Sequence, residues 1–94
     1  MKQVLWYLVA GTRGGQTRAR IIREIAKRPA NTHQLAKRLG LDYKTVQHHL
    51  KIQVENHILS VLNQGKYAAG YFLSNEVNEN RPEFEQIWEE FGKT

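Results

Sequence analysis

Ninety-four residues, 40% of them apolar and 24% charged, suffice for one domain with a single modest core and exclude multidomain schemes. With no cysteine in the chain, neither a disulfide framework nor a thiolate metal site can form, and a reducing cytoplasm is the expected compartment. The net charge of +5 is unevenly placed: residues 1–75 hold twelve Lys or Arg and three acids, hence +9, whereas residues 76–94 hold two and six, hence −4. A polyanion is the natural partner of such a basic body, and the acidic tail should stay off it.

The first apolar run, residues 4–10, is seven long, against the roughly 20 needed to span a bilayer, so no membrane partner is expected. Gly11-Thr12-Arg13-Gly14-Gly15 is a poor cleavage context for an export signal. Within the run apolar and polar residues do not alternate, which leaves both a buried strand and a short helix open. Gly14-Gly15 interrupts the chain, Thr17 is suited to cap a helix over residues 18–28, and Pro29 stops that helix. Ile21, Ile22, Ile25 and Ala26 share one side of it, and Arg20, Arg23 and Lys27 the other. Arg18 has the azimuth of the isoleucines, and so either reaches past the core edge to a phosphate or snorkels to water.

Asn31 and Gln34 make a capping-box pattern for the next helix, which turns Leu35, Ala36 and Leu39 inward and ends at Gly40. Asp42 then caps a helix over residues 43–56 with Val46, Leu50 and Val54 inward. At about 100° per residue, Lys44, His48, Lys51 and Glu55 point outward, with Thr45 and Gln47 on the flanks. Small Ala36, Gly40 and β-branched Val46 have the spacing of a helix-turn-helix, whose second helix offers its outer face to a DNA groove. Residues 58–62 and 67–73 read as two strands around the turn Asn63-Gln64-Gly65-Lys66, with Gly70 a weak spot or bulge.

Residues 75–81 are polar and expected to be loop; Pro82 suits the first helical position, and Phe84, Ile87, Trp88 and Phe91 form one apolar stripe. That stripe exceeds what a three-helix core normally absorbs. Together with Leu5, Trp6 and Leu8 it suggests a dimer interface built from both termini, the alternative being a three-way core within the monomer.

Thr45-Val46-Gln47-His48-His49-Leu50-Lys51, followed by Glu55-Asn56-His57-Ile58-Leu59 and a short hairpin, resembles the winged-helix repressors of the arsenical-resistance-repressor (ArsR/SmtB) type. Gly11-Thr12-Arg13-Gly14-Gly15-Gln16-Thr17-Arg18 leading into Leu41-Asp42-Tyr43-Lys44-Thr45-Val46 looks more narrowly like a set of archaeal winged-helix regulators. The resemblance spans residues 11–74. It implies a homodimer whose third helix enters the major groove, whose wing touches the flanking backbone and whose terminal helices build the dimer interface.

The expected architecture is α+β, mainly α: a winged helix-turn-helix with a two-stranded wing and a C-terminal helix. One domain covers residues 1–94, with an apolar segment and glycine-rich joint at 1–16, the body at 17–74 and the acidic tail with its helix at 75–94. Three departures from the family pattern stand out. Gln53 occupies an inward position usually apolar, with Val54 where a glutamate is common; either Gln53 is buried with a partner or the helix end is displaced. His57 replaces the glycine that usually ends that helix. The thiolate metal sensor has no counterpart.

The four histidines do not make a metal site on paper. His48 and His49 diverge by about 100°, His33 and His57 lie far off, and no carboxylate motif supports them. No paired carboxylates, nucleophile-base pair or phosphate-binding glycine loop is visible, so neither an enzyme nor a cofactor is expected. The reading is sequence-specific binding of double-stranded DNA by a homodimeric transcription regulator. Lys44, Thr45, Gln47, His48 and Lys51 approach base edges or nearby phosphates, while Arg18, Thr32, Lys37, Tyr43 and Lys66 position the duplex. The alternative is a winged-helix protein-interaction module in a larger assembly, against which the basic outer face argues.

Overall fold

The first apolar run is a helix. In the computed structural model, which describes residues 2–63 and 69–91, α1 spans Lys2–Ala10. Leu5, Leu8 and Val9, at i, i+3 and i+4, are buried. Val4, Trp6 and Tyr7 turn outward, and it is their own apolar character that hides the helical period in the sequence.

The remaining elements are α2 (Gly15–Lys27), β1 (Ala30–Asn31), α3 (Thr32–Leu39), α4 (Tyr43–Glu55), β2 (Leu59–Leu62), β3 (Gly70–Leu73), α5 (Asn75–Glu79) and α6 (Arg81–Phe91). The hub is α2, which packs against α1, α3, β3 and α6. Its inward residues Ala19, Ile21, Ile22 and Ile25 meet Leu35 of α3, Val46 and Leu50 of α4, and Ile87 and Trp88 of α6 in one core. Thr17 does not cap α2. The helix starts at Gly15, three residues before the expected position, after Gly14 at φ 84°, with no side-chain cap. Gly15 is where α2 meets the end of α1 backbone to backbone, and a Cβ there would run into the Val9 carbonyl.

Asn31 and Gln34 form the complete capping box of α3: Gln34 N donates to Asn31 Oδ1 at 2.8 Å, and Asn31 N to Gln34 Oε1 at 2.9 Å. Both helices of the helix-turn-helix end in the same paired-hydrogen-bond stop. For α3, Leu41 N donates to Ala36 O and Gly40 N to Lys37 O, with Gly40 at φ 65°. For α4, Ile58 N donates to Gln53 O and His57 N to Val54 O, with His57 itself at φ 61°. The histidine therefore takes the left-handed position that a glycine would occupy without strain, and the chain leaves α4 directly into β2.

The hairpin is wider than two strands. Sheet order is β1-β3-β2, all antiparallel, with Leu59 opposite Leu73, Val61 opposite Tyr71, and Ala30 opposite Tyr71 on the other edge. The two-residue strand β1 thus ties the wing to the start of α3. Strand β3 begins at Gly70, and the turn residues 64–68 fall outside the described structure. Residues expected as loop after it form α5, because Ser74 caps that helix by accepting from Val77 N, and Val77 plugs the core.

The terminal stripes are corrected by this packing. Leu5 and Leu8 of α1 and Phe84, Ile87 and Trp88 of α6 are all buried within the chain itself, because α6 lies along α2 and touches α1. They build the monomer core, not a dimer interface. Of the seven residues expected at that interface, Trp6 (41% exposed) and half-buried Phe91 still reach the surface, their rings edge to face at 5.7 Å. Arg81 fastens the same region by donating to Ala26 O, an end carbonyl of α2, at 2.6 Å, and to Glu85 at 3.0 Å.

Two substitutions test this account in urea titrations. Gly15→Ala is expected to destabilise by about 2–3 kcal/mol as the backbones are pushed apart. His57→Gly is expected to stabilise by about 0.5–1 kcal/mol by relieving a left-handed residue.

Candidate nucleic-acid interface

Val46, Leu50 and Gln53 face inward on α4 and are fully buried, which turns the opposite side to solvent. Asp42 starts the helix, accepting from Thr45 N at 3.1 Å and from the Thr45 hydroxyl at 3.4 Å. Lys44, Thr45, Gln47, His48 and Lys51 are all exposed along the outer face. Among the described residues neither Lys44 nor Lys51 has an ion-pair partner. The two free ammonium groups, the amide and the imidazole form one donor-rich strip, and no described part of either terminus covers it.

Tyr43 stands at the start of this strip, 39% exposed, its ring 4.6 Å from that of His33 on α3. Lys37 is exposed on α3. The fourth lysine of the set, Lys66, lies outside the described residues. A groove of about 270 Å³ opens between α4 and the sheet, lined by Gln47, Lys51, Val54, Glu55, Val61 and Tyr71. The sheet therefore brings Tyr71 beside Lys51, a neighbour that sequence spacing did not reveal because strand pairing creates it.

Two of the expected duplex-facing residues are largely buried. Thr32 stands at the first position of α3 with only 8% of its surface exposed. Arg18 neither reaches a phosphate nor snorkels: it is 5% exposed. Its Nε donates to Leu8 O at 2.8 Å, Nη1 to His49 Nδ1 at 3.1 Å, and Nη2 to Arg13 O at 2.9 Å and to the Thr12 hydroxyl. All four acceptors are neutral. The Leu8 carbonyl belongs to the negative end of α1, so a helix terminus stands where a carboxylate would be expected. Burial pushes the Arg18 pKa down, partly countered by Tyr7, yet a guanidinium in a protein keeps its proton.

Because a guanidinium can only donate, His49 Nδ1 must carry a lone pair, and the ring is neutral with its proton on Nε2. Burial pushes the His49 pKa below the ordinary histidine value, and the charges of Arg18 and His48 add to the effect. Gln53 resolves the choice left by the sequence: it is buried and half satisfied, Nε2 donating to His49 O at 3.2 Å while Oε1 has no partner among the described residues. Among the described residues no three His, Cys, Asp or Glu side chains converge on a possible metal position. No described helix is long and apolar enough to cross a membrane.

A three-helix body, a helix-turn-helix with its second helix exposed and an antiparallel hairpin define a winged helix-turn-helix protein. Residues 15–55 match the family model described as bacterial regulatory protein, arsR family. That match spans α2, α3 and α4, less than half of the chain, and makes this helix-turn-helix similar to that of bacterial regulatory proteins of the family. Among solved structures, reduced HlyU from Vibrio cholerae has the same fold, with a TM-score of 0.67 at 17% identity over 92% of this chain and 87% of that one. A search of curated sequences finds no significant match.

The neutral, buried His49 makes stability fall in acid. The unfolded imidazole takes a proton near its ordinary value of 6.5 while the folded one resists. The contribution is therefore intact above that pH and declines below it, by at most about 1.4 kcal/mol per pH unit, until the folded group protonates. Urea titrations at successive pH values should show this decline, and His49→Asn should flatten it.

Proposed function

We propose that this chain regulates transcription as a homodimer that binds specific sequences of double-stranded DNA, with α4 in the major groove. The observation that carries the reading is the uncovered outer face of α4, where Lys44, Gln47, His48 and Lys51 stand exposed on a helix held from behind by Val46 and Leu50. Gln47 is suited to adenine, the lysines to guanine or to phosphate, and Thr45 and His48 to either base edge or backbone. Tyr43, Lys37 and Lys66 position the duplex around this strip. Such a protein works on the chromosome, in the cytoplasm.

The dimer contact supported by the packing is narrower than the terminal stripes suggest. Val4, Trp6 and Tyr7 on the outer side of α1, with Tyr7 64% exposed, and Phe91 beside Trp6 form an apolar aromatic face that a second copy would cover. A symmetric pair sets two α4 helices on half-sites about one helical turn apart. The same face is what the competing reading, a module docked on a different protein, would use.

A salt-controlled titration against duplex DNA tests the proposal alongside sedimentation. Each of Lys44→Ala and Lys51→Ala should weaken binding, and the log–log salt slope should become shallower by about 0.9 for each lysine that sits on a phosphate. The untreated chain should sediment as a dimer and Trp6→Glu as a monomer. Unchanged affinity in both lysine variants, or a monomer that gains order only with a foreign protein, would favour the docking module.

A further inference from the structure

The inward residues of α4 decide which side of that helix is inside, but apolar packing is not directional and leaves a helix free to roll by a few degrees. Directional bonds remove that freedom. Arg18 of α2 is tied to α4 in this way, through His49 Nδ1 at 3.1 Å. The other three bonds of the same guanidinium go to Leu8 O, Arg13 O and the Thr12 hydroxyl, at the end of α1 and in the joint that follows it. His49 lies immediately after His48 of the exposed strip.

We propose that Arg18 is a positioning residue for DNA binding: through His49 it sets the roll of α4, and it couples that roll to the end of α1 while touching no DNA itself. This rests on the reading of α4 as the DNA-facing helix. A cation and an imidazole lone pair make the coupling conditional on a neutral His49, since a protonated ring would present a second donor to a group that can only donate. The ionisable groups facing the ring are Arg18 from α2 and His48 from its own helix, and Tyr7 of α1 faces Arg18. Protonation of His49 therefore releases α4 from the end of α1. The face of α1 that a second copy would cover lies at the other end of the same linkage, so pairing of chains and the aim of α4 are mechanically joined.

Arg18→Met keeps the length and removes the charge. In a salt titration against one fixed duplex it should bind about tenfold more weakly, the loss of a charged hydrogen bond, with an unchanged log–log slope because no phosphate contact is removed. A slope shallower by about 0.9 would put Arg18 on a phosphate and overturn the proposal, and so would an unchanged affinity. His49→Asn sets an amide oxygen where Nδ1 stands and does not titrate. Its affinity should stay within about threefold of the parent near pH 7.5, and the parent should weaken relative to it as the pH falls toward about 5.5. His48 is common to both proteins, so the ratio isolates His49; a ratio flat with pH sinks the coupling.

Should Arg18→Met fail to fold, the His49→Asn arm and the imidazole nitrogen resonances of the free parent protein decide. These must show His49 protonated on Nε2 alone at neutral pH, and backbone amides of α1 and α4 must shift together as it titrates. If the parent binds no duplex at any salt, the DNA reading has failed. The same resonances then judge the α1–α4 linkage by itself.

Discussion

The azimuth of α4 is the constraint on which the molecule depends. Val46 and Leu50, one turn apart and completely buried, oblige Lys44, Gln47, His48 and Lys51 to face solvent, because a helix that hides one stripe must present the opposite one. Asp42 fixes where the helix starts and the left-handed His57 where it stops. Rolled by one residue, the same sequence would bury a lysine and expose a valine.

What surrounds that helix explains why it can be held so simply. The hub helix α2 collects apolar residues from both termini, so Leu5, Leu8, Phe84, Ile87 and Trp88 are drawn into one core. A domain of this size buries a modest share of its chain, and recruiting both terminal helices supplies apolar area that the helix-turn-helix alone lacks. The surface is left with a small aromatic face at Trp6, Tyr7 and Phe91 on one side and the cationic strip of α4 on another. Between them runs the Arg18 fork, a buried cation hydrogen-bonded by a helix end and a neutral imidazole in place of an acid.

Polar groups in this interior are matched unevenly. Arg18 meets four acceptors, whereas Gln53 satisfies its amide nitrogen on the His49 carbonyl and leaves its oxygen unpaired. Both converge on His49, and the left-handed His57 follows about two helical turns later. Cost is thereby concentrated in the second half of α4, the part that leads into the wing, while its first half is a regularly capped helix.

Local chemistry made much of the architecture legible beforehand. The capping box at Asn31, the Gly40 stop, the Asp42 cap and the Val46 and Leu50 stripe each depend on residues within a few positions of one another, and they determine two helices, the turn between them and the outward strip. The polar–apolar contrast on α4 is what singled out its exposed residues. Other features depend on partners distant in sequence. Whether residues 4–10 were strand or helix was undecidable while apolar residues stood on every side of the run; only contact with α2 distinguishes Leu5, Leu8 and Val9 from Trp6 and Tyr7. Strand β1 exists because β3 arrives beside it. Arg18 read as a group reaching for phosphate or for water, yet the end of α1 and His49 close over it, since the environment of a charge is set by what folds against it, and spacing along one helix cannot contain that.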